Sequence, residues 1–342
     1  MQILMVGMGV VGQSVAQMLL SRYSELRDLY GLHPRVVAIV DSGGAAISEK
    51  GLDLTEALRV KRKRQSVATL LGAGRPGLST KDVVDEVDAD LMIEATPTNV
   101  EDGEPGLTNL KTALSTGMHV VTVNKGPLAL ELPSLLDQAR KRRVSLLFSG
   151  AVGGGLPILA YAKNCLCGER ILGIRGVLNG TTNYVLWKME KEKKSIEEAY
   201  AEARSLGYAE RNPTYDLDGI DTACKLVIIA NWVLNLKVRL RDVQITGIRK
   251  VSLREITEAE KANSAIRLIG SIEKKLKVGP EIVAKDNPLC VDSNLNAIAF
   301  ATEYTGQHFI IGKGAGGCET AASVIRDLIA LAKVSERVFA NT

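Results

Sequence analysis

The first twenty residues constrain the fold more than any other stretch. Ile3 to Val6 is a short apolar run, Gly7-Met8-Gly9-Val10-Val11-Gly12 follows at once, and a helical pattern with Val15, Ala16, Leu19 and Leu20 comes next. Glycines at this spacing are informative because a strand precedes them and a helix follows. The first allows a tight turn, the second lets backbone approach a pyrophosphate, and the third lets helix and strand pack closely. The helix N-terminus then offers N–H groups and a partial positive charge to phosphate. Gly7, Gly9 and Gly12, with Val10 and Val11 between them, are therefore candidate cofactor contacts. The alternative is an ordinary glycine-rich turn.

The same alternation continues. Val36 to Val40, Leu91 to Glu94, Val120 to Val123 and Val144 to Phe148 are apolar runs without polar alternation, the pattern of strands buried on both faces. Asp53-Leu54-Thr55-Glu56 and Ser79-Thr80-Lys81-Asp82 have the spacing of capping boxes and mark helices between the runs. Strands separated by helices predict an α/β fold with a Rossmann-type, doubly wound parallel sheet. Near Ser149 the rhythm changes. Ser149-Gly150-Ala151-Val152-Gly153-Gly154-Gly155-Leu156-Pro157 is a glycine-rich bend, and helices follow over roughly 183–206 and 219–236. Strands are fewer there: Ile171 to Leu178, Gln244 to Ile248 and two within 264–285. A second glycine cluster, residues 312–317, precedes a closing helix from Glu319 to about Lys333. The expected division is a dinucleotide-binding domain over 1–140, an α+β domain over 141–310, and a C-terminal loop and helix over 311–342 that returns to the first domain.

Composition removes other classes. A chain of 342 residues, 46% hydrophobic and 24% charged, has apolar material for about two domains and is not disordered, collagenous or a coiled coil. Lys and Arg number 43 against 39 Asp and Glu, a net charge of +4 that leaves no footprint for nucleic acid or an anionic membrane. The 5 cysteines form no C-x-x-C pair, which suits a reducing cytoplasm; Cys165, Cys167 and Cys318 read as small buried thiols. His33, His119 and His308 lack ligand spacing, so no zinc site is expected. With no signal-peptide pattern and no apolar run of about 18 residues, the expected location is the cytoplasm.

Ionisable residues draw attention in four places. Asp41 ends the second strand, where an acid accepts hydrogen bonds from a ribose 2′-OH and favours NAD. Lys61-Arg62-Lys63-Arg64 is a basic run that either reaches a 2′-phosphate, favouring NADP, or is a solvated helix face. Lys125 lies just past a strand's carboxyl end, where open α/β sheets bind ligands. Asp221 and Lys225 stand four apart on one helix face. An exposed ion pair is the bland reading. The same helix continues as Leu226-Val227-Ile228-Ile229-Ala230, apolar nearly all round, which favours a packed start. Gly176-Val177-Leu178-Asn179-Gly180-Thr181-Thr182-Asn183-Tyr184 is a strand-to-helix turn that either binds a substrate carboxylate, through groups such as Thr181, or is a well-capped helix start.

With these segments in order, the chain resembles the homoserine dehydrogenases over nearly its whole length. The matching segments are Gly7-x-Gly9-x-x-Gly12, Val121 to Lys125, Ala151 to Pro157, Gly176 to Tyr184, Gly207-Tyr208-Ala209-Glu210, Asp216 to Asp221 with Lys225, and Gly314 to Gly317 with Thr320 and Ala321. The resemblance implies interconversion of L-aspartate 4-semialdehyde and L-homoserine with NAD or NADP, a step toward threonine and methionine. It makes Lys225 the proton donor and acceptor, Asp221 the carboxylate that holds it, and Lys125 a second lysine near the reacting carbon and the nicotinamide. Glu210 and Asp216 match positions that recognise an α-ammonium, with Thr181 and Tyr208 alongside; Thr96, Gly207 and Gly316 match cofactor contacts. Members of the family bind a structural monovalent cation, Na+ or K+, at the glycine bend through main-chain carbonyls. Val152, Gly154 and Leu156 are the matching oxygens, but Ser149 stands where the family usually has Glu. The second domain's sheet implies a homodimer. Only nine residues follow Lys333, so an ACT-type or aspartate kinase domain, and threonine feedback through it, are not expected. Two other readings share the architecture: an oxidoreductase on another small amino acid or aldehyde, and a dinucleotide-binding protein without turnover.

Overall fold

The computed structural model describes residues 1–63, 65–209 and 213–339. Contacts divide the chain into two units, Met1–Ala151 with Gly316–Thr342, and Val152–Ala315. In the first unit, strands β1 (Gln2–Val6), β2 (Arg35–Asp41), β3 (Gly44–Ile47), β4 (Gly74–Pro76), β5 (Leu91–Glu94), β6 (His119–Thr122) and β7 (Leu146–Leu147) form one sheet in the order β4-β3-β2-β1-β5-β6-β7. Helices α1 (Val10–Ser21), α2 (Tyr23–Tyr30), α3 (Leu54–Arg62), α4 (Thr80–Glu86), α5 (Gly106–Thr116) and α6 (Lys125–Arg142) connect them. The strands β2, β1, β5, β6 and β7 run parallel. The winding reverses between β1 and β5, and their carboxyl ends therefore border the crevice where sheets of this kind take ligands.

The sheet is mixed rather than wholly parallel. The Ser42-Gly43 turn sends β2 straight into antiparallel β3, with Asp41 opposite Gly44, and β4 adds a further antiparallel strand at the edge. A two-residue turn ending in glycines is a hairpin signal, and it outweighs the expected crossover at this point. The strand expected over Val144 to Phe148 shortens to Leu146–Leu147. Ser79 and Asp82 close a full capping box, whereas Asp53 caps α3 alone because Glu56 turns to pair with Arg59.

In the second unit, α7 (Ile158–Asn164) leads to β8 (Ile171–Val177), then α8 (Gly180–Glu192), α9 (Ile196–Ser205), α10 (Thr214–Leu217) and α11 (Ile220–Val233). After these come β9 (Val243–Ile245), α12 (Leu253–Lys261), β10 (Ser264–Ile272), β11 (Leu276–Ala284), β12 (Leu295–Thr302) and β13 (Gln307–Lys313). The sheet order is β13-β12-β8-β10-β11-β9. The single helix expected over 183–206 is two, because Lys193 takes a left-handed conformation and Ser195 starts α9 with its own capping box against Glu198. The hairpin of β12 and β13 was not expected. Its Asn-Ala-Ile-Ala-Phe-Ala-Thr run is rich in alanine and carries little strand propensity.

The last helix, α13 (Gly317–Phe339), packs in the first unit. Its Ala321, Val324, Ile325, Leu328 and Leu331 share a core with Ile3 and Met5 of β1 and Val15, Ala16 and Leu19 of α1. Each large side chain so buried contributes about 1.5–3 kcal/mol, so this helix belongs to the nucleotide-type core rather than to a tail. Cys165, Cys167 and Cys318 are exposed, not buried as expected; only Cys224 is fully covered, in α11 just before Lys225. Among the described residues, no group of His, Cys, Asp and Glu has the makings of a metal site, and no helix is long and apolar enough to cross a membrane.

Candidate active site

The glycine triplet forms the turn between β1 and α1. Gly7 has φ +95°, and a Cβ there would sit 2.4 Å from the Ala95 carbonyl oxygen; one on Gly12 would sit 2.1 Å from the Gly7 oxygen. Any side chain at either position would push β1, β5 and α1 apart. Gly9 differs: nothing lies within 4 Å of its missing Cβ, and as N-cap of α1 it provides no side chain to bond the first-turn N–H groups. An open backbone at an uncapped helix start is what a pyrophosphate requires. Val10 beside it is 74% exposed, and Gly317 packs against Val10 and Ser14, which brings Gly316 (φ +133°) to the same helix end.

Asp41 and the basic run are partners rather than rivals. Asp41 Oδ2 accepts from Lys61 Nζ (2.7 Å) and the Val67 N–H (3.0 Å); Oδ1 accepts from Ser66 Oγ (2.5 Å) and the Gly43 N–H (3.0 Å). Burial alone would raise the carboxyl's pKa, but these four donors outweigh it and hold the group below the usual range. Arg62 and Lys63 are exposed, and Arg64 lies outside the described residues. Thr96 follows β5, and Lys125 opens α6 directly after the N-cap Asn124, whose side chain accepts from the Gly126 N–H. Both lie at the carboxyl edge of the first unit's sheet.

In the second unit, β8 delivers Leu178 and Asn179 to the head of α8, and α11 delivers Asp221 and Lys225. Lys225 is only 6% exposed. Its ammonium donates to the Leu178 carbonyl (2.6 Å) and pairs with Asp221 Oδ2 (2.7 Å). The bland reading of an exposed i,i+4 pair therefore does not describe it. Asn179 completes the cluster: one amide N–H goes to Asp216 Oδ1 (2.7 Å), the other to Asp221 Oδ2 (2.9 Å), while its oxygen caps α8 at Thr182 N–H. Thr181 donates to the Tyr208 carbonyl (2.7 Å), which ties the loop after α9 to the same helix start. Gly207, in that loop, is left-handed at φ +77° with open space about its Cα. Glu210 lies outside the described residues.

Residues 157–329 match the sequence profile of the homoserine dehydrogenase family, and residues 7–149 match the profile described as homoserine dehydrogenase, NAD binding domain. The homoserine dehydrogenase of Methanocaldococcus jannaschii is 43% identical over 330 residues, covering 96% of this chain and 98% of its own length. The chain belongs to the homoserine dehydrogenase family. An NAD(+)-dependent homoserine dehydrogenase of Pseudomonas canavaninivorans is 36% identical over 333 residues, 95% of this chain and 94% of that protein. The solved structure of a hyperthermophilic archaeal homoserine dehydrogenase in complex with NADPH superposes with a TM-score of 0.84 at 30% identity, covering 98% of both chains. The fold and the oxidoreductase class are those of the homoserine dehydrogenases.

Ser149, where the resemblance led us to expect Glu, has a local partner. Ser149 donates its hydroxyl to Asp327 Oδ1 (2.6 Å) and its N–H to Oδ2 (2.9 Å). Asp327 comes from α13 and is 4% exposed; burial pushes its carboxyl up to about 6 against the pull of the Ser149 bonds. A glutamate at 149 would set a second carboxylate against it, whereas the serine hydroxyl adds a donor to the one that the main-chain N–H supplies. In the bend of the second unit, Gly153 and Gly154 are left-handed, and Gly154 lies against the Gly314 carbonyl. The Asn296 side chain packs on Gly314, fully buried, and neither its Oδ1 nor its Nδ2 has a hydrogen-bond partner among the described residues. A buried amide oxygen without a partner, next to the Gly314 backbone, is a ligand of the kind that an oxygen-coordinated monovalent cation takes.

Sequence reasoning missed Asn179, Asn296 and Glu94. Asn179 was visible as a polar residue ending an apolar strand, but only the fold brings Asp216 and Asp221 to it. In the sequence Glu94 is only the last residue of an apolar run. It is fully buried, which no charged residue tolerates without several donors.

Proposed function

We propose that the chain interconverts L-aspartate 4-semialdehyde and L-homoserine with NAD(P), with Lys225 as the group that gives and takes the proton. The carrying observation is the Lys225 ammonium, nine-tenths buried and fixed by two of its three N–H bonds to Asp221 and the Leu178 carbonyl. The third N–H is left for a substrate oxygen. As an aldehyde is reduced, negative charge develops on its oxygen, and an ammonium already held in place meets that charge without reorganising. Lys225 then releases its proton to the alkoxide; in the reverse direction the amine takes it back. Asp221 and Asn179 hold the amine on its line. Asp216 and Glu210 take the substrate's α-ammonium, which needs carboxylate acceptors, and Thr181 and Tyr208 close that side of the pocket.

Bound NAD(P) supplies or accepts the hydride. Gly7, Gly9, Gly12, Val10 and Val11 hold its pyrophosphate at α1, with Thr96, Lys125, Gly207 and Gly316 as further contacts. Asp41 and Lys61 decide between the dinucleotides. A ribose 2′-OH joins the Asp41 carboxylate as one more neutral donor, whereas a 2′-phosphate has to draw Lys61 away from it, so NADH is the favoured form. Val152, Gly154 and Leu156 carbonyls, with Asn296 Oδ1, hold a monovalent cation whose contribution is structural. The enzyme works in the cytoplasm as a homodimer. Supporting the dimer, β13 is an edge strand whose alternate residues Phe309 and Ile311 are exposed, and an unprotected apolar edge is a template for pairing.

The test is a steady-state assay of the purified chain with L-homoserine and NAD(P)+, and with aspartate semialdehyde and NAD(P)H, against other small amino alcohols and aldehydes. Turnover confined to this pair, with NADH ahead of NADPH, is expected. Faster turnover of another aldehyde would overturn the substrate assignment.

A further inference from the structure

Glu94 is 0% exposed at the carboxyl end of β5, opposite Thr122 of β6. Its Oε1 accepts from the Thr96 N–H (2.9 Å) and from the Thr96 hydroxyl, and its Oε2 accepts from the Thr122 hydroxyl (2.8 Å). Burial pushes its pKa up, and the partners that oppose this are Thr96, Thr122 and Asn124, with no lysine, arginine or histidine among them. Such a carboxylate is a costly way to fill a core; an apolar side chain or an amide would pack there at lower cost. What a carboxylate alone provides is direction. Ionised, it has no proton to give, so every group that touches it must donate.

That requirement propagates. The Thr122 hydroxyl points its proton at Glu94 and therefore accepts from the Asn124 N–H (3.0 Å). The Thr96 hydroxyl does likewise and accepts from Asn124 Nδ2 (3.2 Å), which also faces the carbonyls of Thr96 (3.4 Å) and Pro97 (3.3 Å). With its amide nitrogen so directed, Asn124 presents Oδ1 to the Gly126 N–H (3.2 Å) and caps α6. Lys125 is the first residue of that helix. One buried carboxylate thus sets both the turn that carries Thr96 and the helix end that carries Lys125.

We propose that Glu94 is a positioning residue for hydride transfer, aligning the Thr96 turn and the head of the Lys125 helix through an ordered chain of donors that ends on its carboxylate. The inference rests on the reading of this sheet edge as the dinucleotide site. A glutamine at 94 keeps the Oε1 arm to Thr96 but replaces the Oε2 acceptor with a donor, which turns the Thr122 proton away from position 94; the Thr122 oxygen then accepts from two N–H groups, the glutamine amide and Asn124, and its bond to the Asn124 N–H is weakened rather than lost. The two arms are therefore separable by experiment.

Glu94→Gln and Thr122→Val are made in the full chain, and three quantities are read: kcat and KM for homoserine, the Kd for NADH by nicotinamide fluorescence, and amide hydrogen exchange over residues 95–99 and 122–127. In both variants kcat should fall about 10- to 100-fold, the scale of a misplacement of under an ångström, with KM for homoserine unchanged. Exchange should quicken over 122–127 in both, and over 95–99 little in either. Glu94→Ala, which cuts both arms, should quicken both segments and weaken NADH. If Glu94→Gln fails to fold, Thr122→Val alone carries the test, since it severs the Asn124 arm without touching the carboxylate. Unchanged exchange and unchanged kcat in these variants would overturn the proposal, as would a kcat loss that only tracks the unfolded fraction. Should the wild-type chain itself not turn over homoserine, the functional reading fails separately, and NADH affinity with the exchange pattern still decides the role of Glu94.

Discussion

Replacing Asp327 with Asn should stabilise the protein above pH 6 and change little below pH 4. Asp327 is buried beneath the start of the glycine bend, and its carboxyl is raised from 3.8 to about 6. A folded-state value above the unfolded one means that the native protein binds the proton more tightly, so its stability is greatest below the unfolded value and is lost as pH rises through the folded one. The full shift of about 2 units is worth about 3 kcal/mol at roughly 1.4 kcal/mol each. Over the accessible span from pH 5 to pH 8, linkage assigns about 1.4 kcal/mol of destabilisation to this one group. Asparagine keeps both contacts, since its oxygen accepts from the Ser149 N–H and its NH2 donates to the Ser149 hydroxyl, and it has no charge to desolvate.

The assay is thermal unfolding of wild type and Asp327→Asn at pH 5 and pH 8. At about 2–4 °C per kcal/mol for a unit of this size, the difference in Tm between the proteins should move by about 3–6 °C in favour of Asn across that span. Parallel pH dependences in the two proteins would refute the reasoning, because they would mean that Asp327 titrates alike folded and unfolded. An Asn variant less stable at pH 8 than wild type would refute it as well, for then the Ser149 bonds outweigh the burial.

Two further outcomes follow from the same geometry. Lys225→Met should lower kcat by about 10²–10⁴-fold, the range for a lost general acid, with NADH affinity unchanged; undiminished turnover would remove Lys225 from the chemistry. Because that variant strands the Asp221 carboxylate, it should also lose about 3–5 kcal/mol of stability, and adding Asp221→Asn should restore Tm without restoring turnover. Exchanging Na+ and K+ for a bulky organic cation should lower the Tm of the wild type but not that of Asn296→Ala; identical Tm values for wild type in all three would mean that no ion sits at the bend.

The parts of this molecule that the sequence exposed are those set by local rules. A strand, three glycines and a helix in succession admit few structures, and β1, α1 and the parallel strands follow from apolar runs that need burial on both faces. Lys225 and Asp221 were visible because a helix places residues four apart on one face and an apolar continuation draws them inward. What the sequence concealed depends on residues far apart in the chain. Asp41 and Lys61 looked like opposing cues for two dinucleotides, and only the tertiary fold, which sets Lys61 of α3 beside the end of β2, makes them one ion pair. Asn179 meets Asp216 and Asp221 across about forty positions, and Ser149 meets Asp327 across 178. No periodicity encodes such pairings. The antiparallel edge was legible in principle, since Ser42-Gly43-Gly44 is a turn signal, but a strong expectation of βαβ crossovers masked it.

Glu94 and Asp221 are both carboxylates withdrawn from water, and their surroundings give them opposite work. Asp221 faces an ammonium 2.7 Å away, and each member of that pair lowers the cost of burying the other. Remove either and the survivor is stranded, which makes the pair a unit whose position is set by mutual charge. Glu94 faces only neutral hydroxyls and N–H groups. Neutral donors offset only part of its burial and bind it to no one partner by charge, so what they exchange is orientation. A counterion acts on the group it touches. An organiser acts through the groups that must turn toward it, and its loss is felt two bonds further on, at Asn124 and the head of the Lys125 helix. That difference is why substituting glutamine, nearly isosteric and still polar, should be mild for packing at position 94 and severe for catalysis.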